Sequence, residues 1–166
     1  MKICIFGLPG AGKSYAALEL AQHFGIPLHH LDQIFYTNDW QERPAAEFVK
    51  QHLAILETPS WVMDGNCMKQ LEARFAKSDI AIYINLPKLF CLKRLIDKRL
   101  SVKPQIEKLP KGCKKRLPWK LVRFMWNFNK RFGFKIAQLH QRYPNVKYFE
   151  VCDKKSAEDL LKHLKK

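Results

Sequence analysis

Short apolar runs alternate along the chain with stretches whose apolar residues recur every three or four positions. The alternation predicts an α/β fold with strands and helices exchanging around a parallel sheet. Ile3 to Phe6 reads as a buried first strand. Ala17, Leu20, Ala21 and Phe24 mark the inner face of a helix that Gly25 and Pro27 stop. Pro27 to Leu31 is a second, weaker strand, and Pro44 opens a helix with the stripe Ala45, Phe48, Val49, Leu53 and Leu56. Trp61 to Met63 is a third strand running into Asp64-Gly65, and Leu71 and Phe75 mark a short helix. Ile80 to Leu86, bounded by Ser78-Asp79 and Pro87, is the clearest strand. Leu89 to Leu100 is helical, and from Pro118 a long helix carries Leu121, Met125, Phe128, Phe132, Ile136 and Leu139 on one stripe. Val146 to Val151 is a last strand, and Ala157, Leu160, Leu161 and Leu164 belong to a closing helix. Between Leu100 and Pro118, Ser101 to Leu117 has prolines, a glycine and many cations without periodicity, as expected of a functional lid or a disordered insert.

The 166 residues suit one domain, 1–166, interrupted by that insertion at about 101–117. No apolar run approaches the ~20 residues of a membrane helix, and the segment after Met1 lacks the form of a secretory signal. Five scattered cysteines with no C-x-x-C pair fit reduced thiols, so a cytoplasmic location is expected. The net charge of +15 is concentrated. Lys88 to Lys135 holds sixteen basic residues against Asp97 and Glu107, whereas the rest of the chain is nearly balanced. A segment so charged points to an anionic partner: phosphate groups, nucleic acid or a membrane surface.

Gly7-Leu8-Pro9-Gly10-Ala11-Gly12-Lys13-Ser14 matches G-x-x-x-x-G-K-[ST] at every fixed position, between the first strand and the first helix. Glycines let backbone N–H groups turn inward around phosphate oxygens, and the helix directs its positive end at them. Lys13 can reach the terminal phosphates of ATP, and the Ser14 hydroxyl can bind Mg²⁺. Gly7, Pro9, Gly10, Ala11, Gly12, Lys13, Ser14 and Tyr15 form the candidate nucleotide site. Tyr15 stands where a second small hydroxyl residue is frequent, which alters contact with the α-phosphate or base.

The loop with Pro9, together with Trp61-Val62-Met63-Asp64-Gly65, resembles the adenylate-kinase-like branch of P-loop proteins. More narrowly, the chain resembles small bacterial DNA topology modulation proteins of the FlaR type. The resemblance is carried by His30-Leu31-Asp32, Trp40 with Glu42-Arg43-Pro44, and Trp61 through Asn66. It continues through Leu86-Pro87, Arg94 with Arg99-Leu100, Gly112-Cys113, and Arg123 with Trp126-Asn127, over roughly residues 1–150. It implies a five-stranded parallel core with a basic lid. Asp64 is then the second Mg²⁺ carboxylate, with a turn-forming Asp-Gly as the plainer reading. Asp32 would hold or deprotonate an acceptor hydroxyl, or else cap a helix. Arg43 and Asn66 fall on the acceptor side, where Arg43 could grip a phosphate or remain a surface charge. Arg94, Arg99 and Arg123, with Lys13, would neutralise charge during phosphoryl transfer.

Two functions follow. The first is an ATP- and Mg²⁺-dependent phosphotransferase, on a small molecule, nucleoside or nucleotide. The second is a nucleic-acid-binding P-loop NTPase or polynucleotide kinase that uses the basic 88–135 segment, with interleaved Trp119, Phe124, Trp126, Phe128 and Phe132.

Overall fold

The structure, a computed structural model, describes residues 1–100 and 117–165. The expected insertion at 101–117 therefore lies, apart from Leu117, outside the described residues. Five parallel strands form one sheet: β1 (Lys2–Gly7), β2 (Leu28–His30), β3 (Trp61–Asp64), β4 (Ile80–Ile84) and β5 (Lys147–Val151), in the order β2-β3-β1-β4-β5. The inner strands β1, β3 and β4 are apolar almost throughout because both sheet faces are covered. Even-numbered Ile82 and Ile84 face α1 (Lys13–Phe24) and α7 (Lys154–Leu164). Tyr83 points the other way and stacks between Phe6 and Phe128 of α6 (Trp119–Arg142), while Phe6 also meets Phe75 of α4 (Leu71–Lys77). The period of two along the strand thus sorts the helices into two layers.

The elements match the hydrophobic pattern closely, with three local differences. The second strand stops at His30, and Leu31 already begins a five-residue helix, α2 (Leu31–Phe35). The strand read as reaching Leu86 ends at Ile84. In α3 (Ala45–Leu56), His52 is fully buried and Leu53 is half exposed, so the inward stripe runs Phe48, His52, Leu56. His52 stacks on Phe48. Its ring lies near the buried Arg74, and neither ring nitrogen has a hydrogen-bond partner among the described residues. Burial, then the Arg74 charge, pushes the ring's pKa down to about 4, so it packs as a neutral aromatic.

β1 is central and its neighbours lead to opposite sides of the sheet. The carboxyl edge at β1 is therefore the place where an α/β sheet of this kind opens to ligands. α5 (Lys88–Leu100) leaves that edge after β4, and α6 returns beside it, with Lys88 Nζ donating to the Trp126 carbonyl at 2.8 Å.

Candidate phosphate-binding site

The loop between β1 and α1 is held from three directions. Leu8 N–H donates to the Ile84 carbonyl of β4 at 3.0 Å, and Gly7 N–H donates to Asn66 Oδ1, just past β3, at 3.0 Å. The third is α5, whose Cys91 carbonyl lies 2.4 Å from where a Cβ on Gly10 would stand. At Gly7, φ is +134° and a Cβ would sit 2.1 Å from the Ile84 oxygen, so only glycine fits. Gly12 opens α1 at φ +95°, with Arg94 Nη1 3.0 Å from its absent Cβ. The Arg94 guanidinium thus lies against the helix N-terminus, and no acidic residue occupies the first turn of α1. An anion there meets the helix end and an arginine together.

Beneath the loop, Cys91 is fully buried; burial raises its thiol pKa although Lys13 and Arg94 draw it the other way. Lys13 Nζ donates to the Leu8 carbonyl at 2.9 Å, folded over its own loop.

Asp64 ends β3 and is 3% exposed. Ser14 Oγ donates to its Oδ2 at 2.7 Å, while its Oδ1 lies 2.6 Å from His30 Nδ1. The His30 contact is a consequence of register: parallel pairing of β2 with β3 sets His30 opposite Asp64. The Ser14 contact follows from the loop, which brings the first turn of α1 over the same strand end. A hydroxyl and a carboxylate oxygen are the hard donors that Mg²⁺ takes from protein beside phosphate oxygens, so this pair suits it. Among the described residues no cluster of three or more His, Cys, Asp or Glu side chains could cage a metal alone.

The remaining candidates are spread out. Asp32 is exposed in the first turn of α2, two residues past His30. Arg43 donates through Nε to the Ile34 carbonyl at 2.8 Å and pairs with Glu47. Arg99 is exposed near the end of α5. Arg123 lies on the outer side of α6 with Lys120, Asn127, Lys130 and Arg131. Tyr15, half exposed, borders a cavity of about 550 Å³ between α1 and α7, lined by Ile84, Leu86 and Leu161. Two residues of the sequence motifs take parts that the sequence did not assign them, Asn66 being expected on the acceptor side. Asn66 tethers the loop, and His30 holds Asp64. Each contact joins residues more than thirty positions apart, so only strand pairing could announce it.

No family model matches the sequence, and no curated protein matches it. Solved structures do resemble it. A shikimate kinase from Acinetobacter baumannii in complex with shikimate aligns over 98% of this chain and 89% of its own, with TM-score 0.59 and 16% identity. A shikimate kinase from Bacteroides thetaiotaomicron aligns over 99% and 95%, with TM-score 0.56 and 16% identity. An uncharacterized protein from Eubacterium ventriosum aligns over 99% and 98%, with TM-score 0.53 and 15% identity. The sheet order, the helix layers and this likeness define a P-loop fold of the shikimate-kinase type. Among the described residues no helix is long and apolar enough to cross a membrane.

Proposed function

We propose that the chain is a phosphotransferase that moves the terminal phosphoryl group of ATP, with Mg²⁺, to a hydroxyl or phosphate acceptor. The observation that carries the reading is the 2.7 Å contact of Ser14 with Asp64 at the head of a complete phosphate loop. A glycine turn alone has no reason to bury a carboxylate there. Backbone N–H groups from Gly10 to Ser14 would hold the phosphates, and Lys13 would exchange the Leu8 carbonyl for a phosphate oxygen. Ser14 and Asp64 would hold Mg²⁺, which when bound supplies positive charge to the phosphate oxygens. The apolar cavity beside Tyr15 suits a base.

Arg94 would stabilise charge on the phosphoryl group in flight, and Arg99 and Arg123 are further along the same basic helices. Asp32 is exposed in the first turn of α2, just past β2, where it would orient an acceptor hydroxyl and take its proton as the new P–O bond forms and ADP leaves. On this reading Arg43, now bonded to the Ile34 carbonyl, and Asn66, now bonded to Gly7 N–H, would also contact the acceptor. The motif run from His30-Leu31-Asp32 to Trp126-Asn127 supports a place near the DNA topology modulation proteins within this fold, and the dispersed cysteines support a cytoplasmic setting.

The test is ADP release across nucleosides, nucleotides, hydroxyl metabolites and oligonucleotides. One acceptor should raise the rate at least tenfold over buffer, and Asp32→Asn should remove that increment while leaving ATP affinity intact. ADP release that no acceptor alters would contradict the phosphotransferase reading.

A further inference from the structure

The aromatic residues of α6 divide into two sets. Phe124, Phe128 and Phe132 contact one another, and Phe128 is fully buried against Tyr83. Trp119, Trp126 and Phe134 point away from the core, at 76%, 49% and 77% exposure. They stand seven and eight residues apart, so they recur about every two turns along one face, with roughly 10–12 Å of helix rise between successive positions. Lys120, Arg123, Lys130 and Arg131 are exposed on the same outer side, and the 24 residues of α6 contain no Asp or Glu. Asn127 adds a polar group between them. Lys88 of α5 stands over one face of the Trp126 ring at 5.6 Å, so a base would stack on the other face.

Solubility explains neither feature. A face made to stay in water has no use for three large rings, and a helix balanced by its own ion pairs would alternate charge sign. Described acidic groups do not cover it either: the ion pairs of α6 among the described residues run through Arg142, at its far end, to Glu72. Rings at regular intervals with cations on their flanks match a chain that repeats a planar base and a phosphate. Exposed α6 residues other than the rings are cationic or polar apart from Ala137, so rings and cations share one face, whereas an interfacial membrane helix keeps an apolar face apart from its cationic one. A duplex hides its base faces in the stack, whereas a single strand offers them.

We infer that the outer face of α6 binds single-stranded nucleic acid, with Trp119, Trp126 and Phe134 as stacking platforms and Lys120, Arg123, Lys130 and Arg131 as phosphate contacts. The inference does not rest on the phosphotransferase reading, in which Arg123 alone of these residues has a part.

The experiment is fluorescence anisotropy of a labelled 20-nucleotide oligothymidylate with the full chain, without ATP, from 50 to 200 mM salt. Binding should weaken with a log–log slope of about −2 to −3, the value for three or four phosphate contacts on a single strand. Trp126→Ala should weaken binding about tenfold and leave the slope unchanged. Lys130→Gln with Arg131→Gln should flatten the slope by about one or more. Both variants replace exposed side chains, and unchanged thermal melting will show that they fold. Tryptophan emission should fall on binding in wild type. Three results would overturn the inference. One is no binding at 50 mM salt, and another is binding that neither variant changes. The third is equal or stronger binding to duplex of the same length or to vesicles rich in anionic lipid.

Discussion

At the residue scale, Asp64 is the pivot, because its two oxygens are divided between Ser14 and His30. A carboxylate held from one side presents its other oxygen in a fixed direction, and loss of such a support typically costs 10–100-fold in metal affinity. His30→Ala should therefore weaken nucleotide binding about tenfold in Mg²⁺ and leave it unchanged in EDTA, as read by isothermal titration calorimetry. An equal loss in both buffers would mean that His30 serves the fold and not Asp64. His52 gives a different kind of test. Its folded pKa of about 4 lies below the ordinary 6.5, so between these values the unfolded chain binds the proton first. The stability it contributes is complete above pH 6.5 and is lost as pH falls towards 4. His52→Phe should flatten the fall of the urea midpoint across that window, with little change at pH 8. His29, lowered by burial and by His30, acts in the same direction and remains in the variant.

At the scale of elements, the apolar runs located β1, β3 and β4 most sharply because buried parallel strands need apolar residues on both faces. The phosphate loop was legible for a related reason: glycine spacing is dictated by backbone geometry, and Gly7 and Gly12 have the positive φ that the motif demands. Three-residue β2 passing directly into α2 was not legible, since neither is long enough to show a period. Nor was the exchange of Leu53 for His52 in α3, because a hydropathy pattern treats a neutral stacked imidazole as a polar residue. The contacts of His30 and Asn66 depend on which strands become neighbours, and that is a property of the whole sheet. One element boundary can be tested directly. Asp153 caps α7, accepting from Ser156 N–H at 2.9 Å while the Ser156 hydroxyl lies 3.2 Å from Asp153 N–H. Asp153→Ala should cost about 1 kcal/mol in chemical denaturation. A cost near zero would show that packing on α1 alone sets the start of α7.

At the scale of the molecule, charge and fold divide the work. The sheet brings the phosphate loop, Asp64 and Arg94 to one edge, while the basic excess continues along α5 and α6 beyond it. The likeness to shikimate kinases spans nearly the whole chain at 16% identity, so it defines the architecture and leaves the chemistry to the residues at that edge. The central claim is that this edge binds a Mg²⁺-nucleotide through the loop. Thermal melting with MgADP tests it most directly. At a hundredfold excess over the dissociation constant, mass action should raise the melting temperature by about 5–10 °C. Lys13→Ala should lose most of that rise, and Asp64→Asn should lose the part that depends on Mg²⁺, both variants melting near wild type without ligand. A rise of the same size in Lys13→Ala, or none in the wild type, would contradict the account.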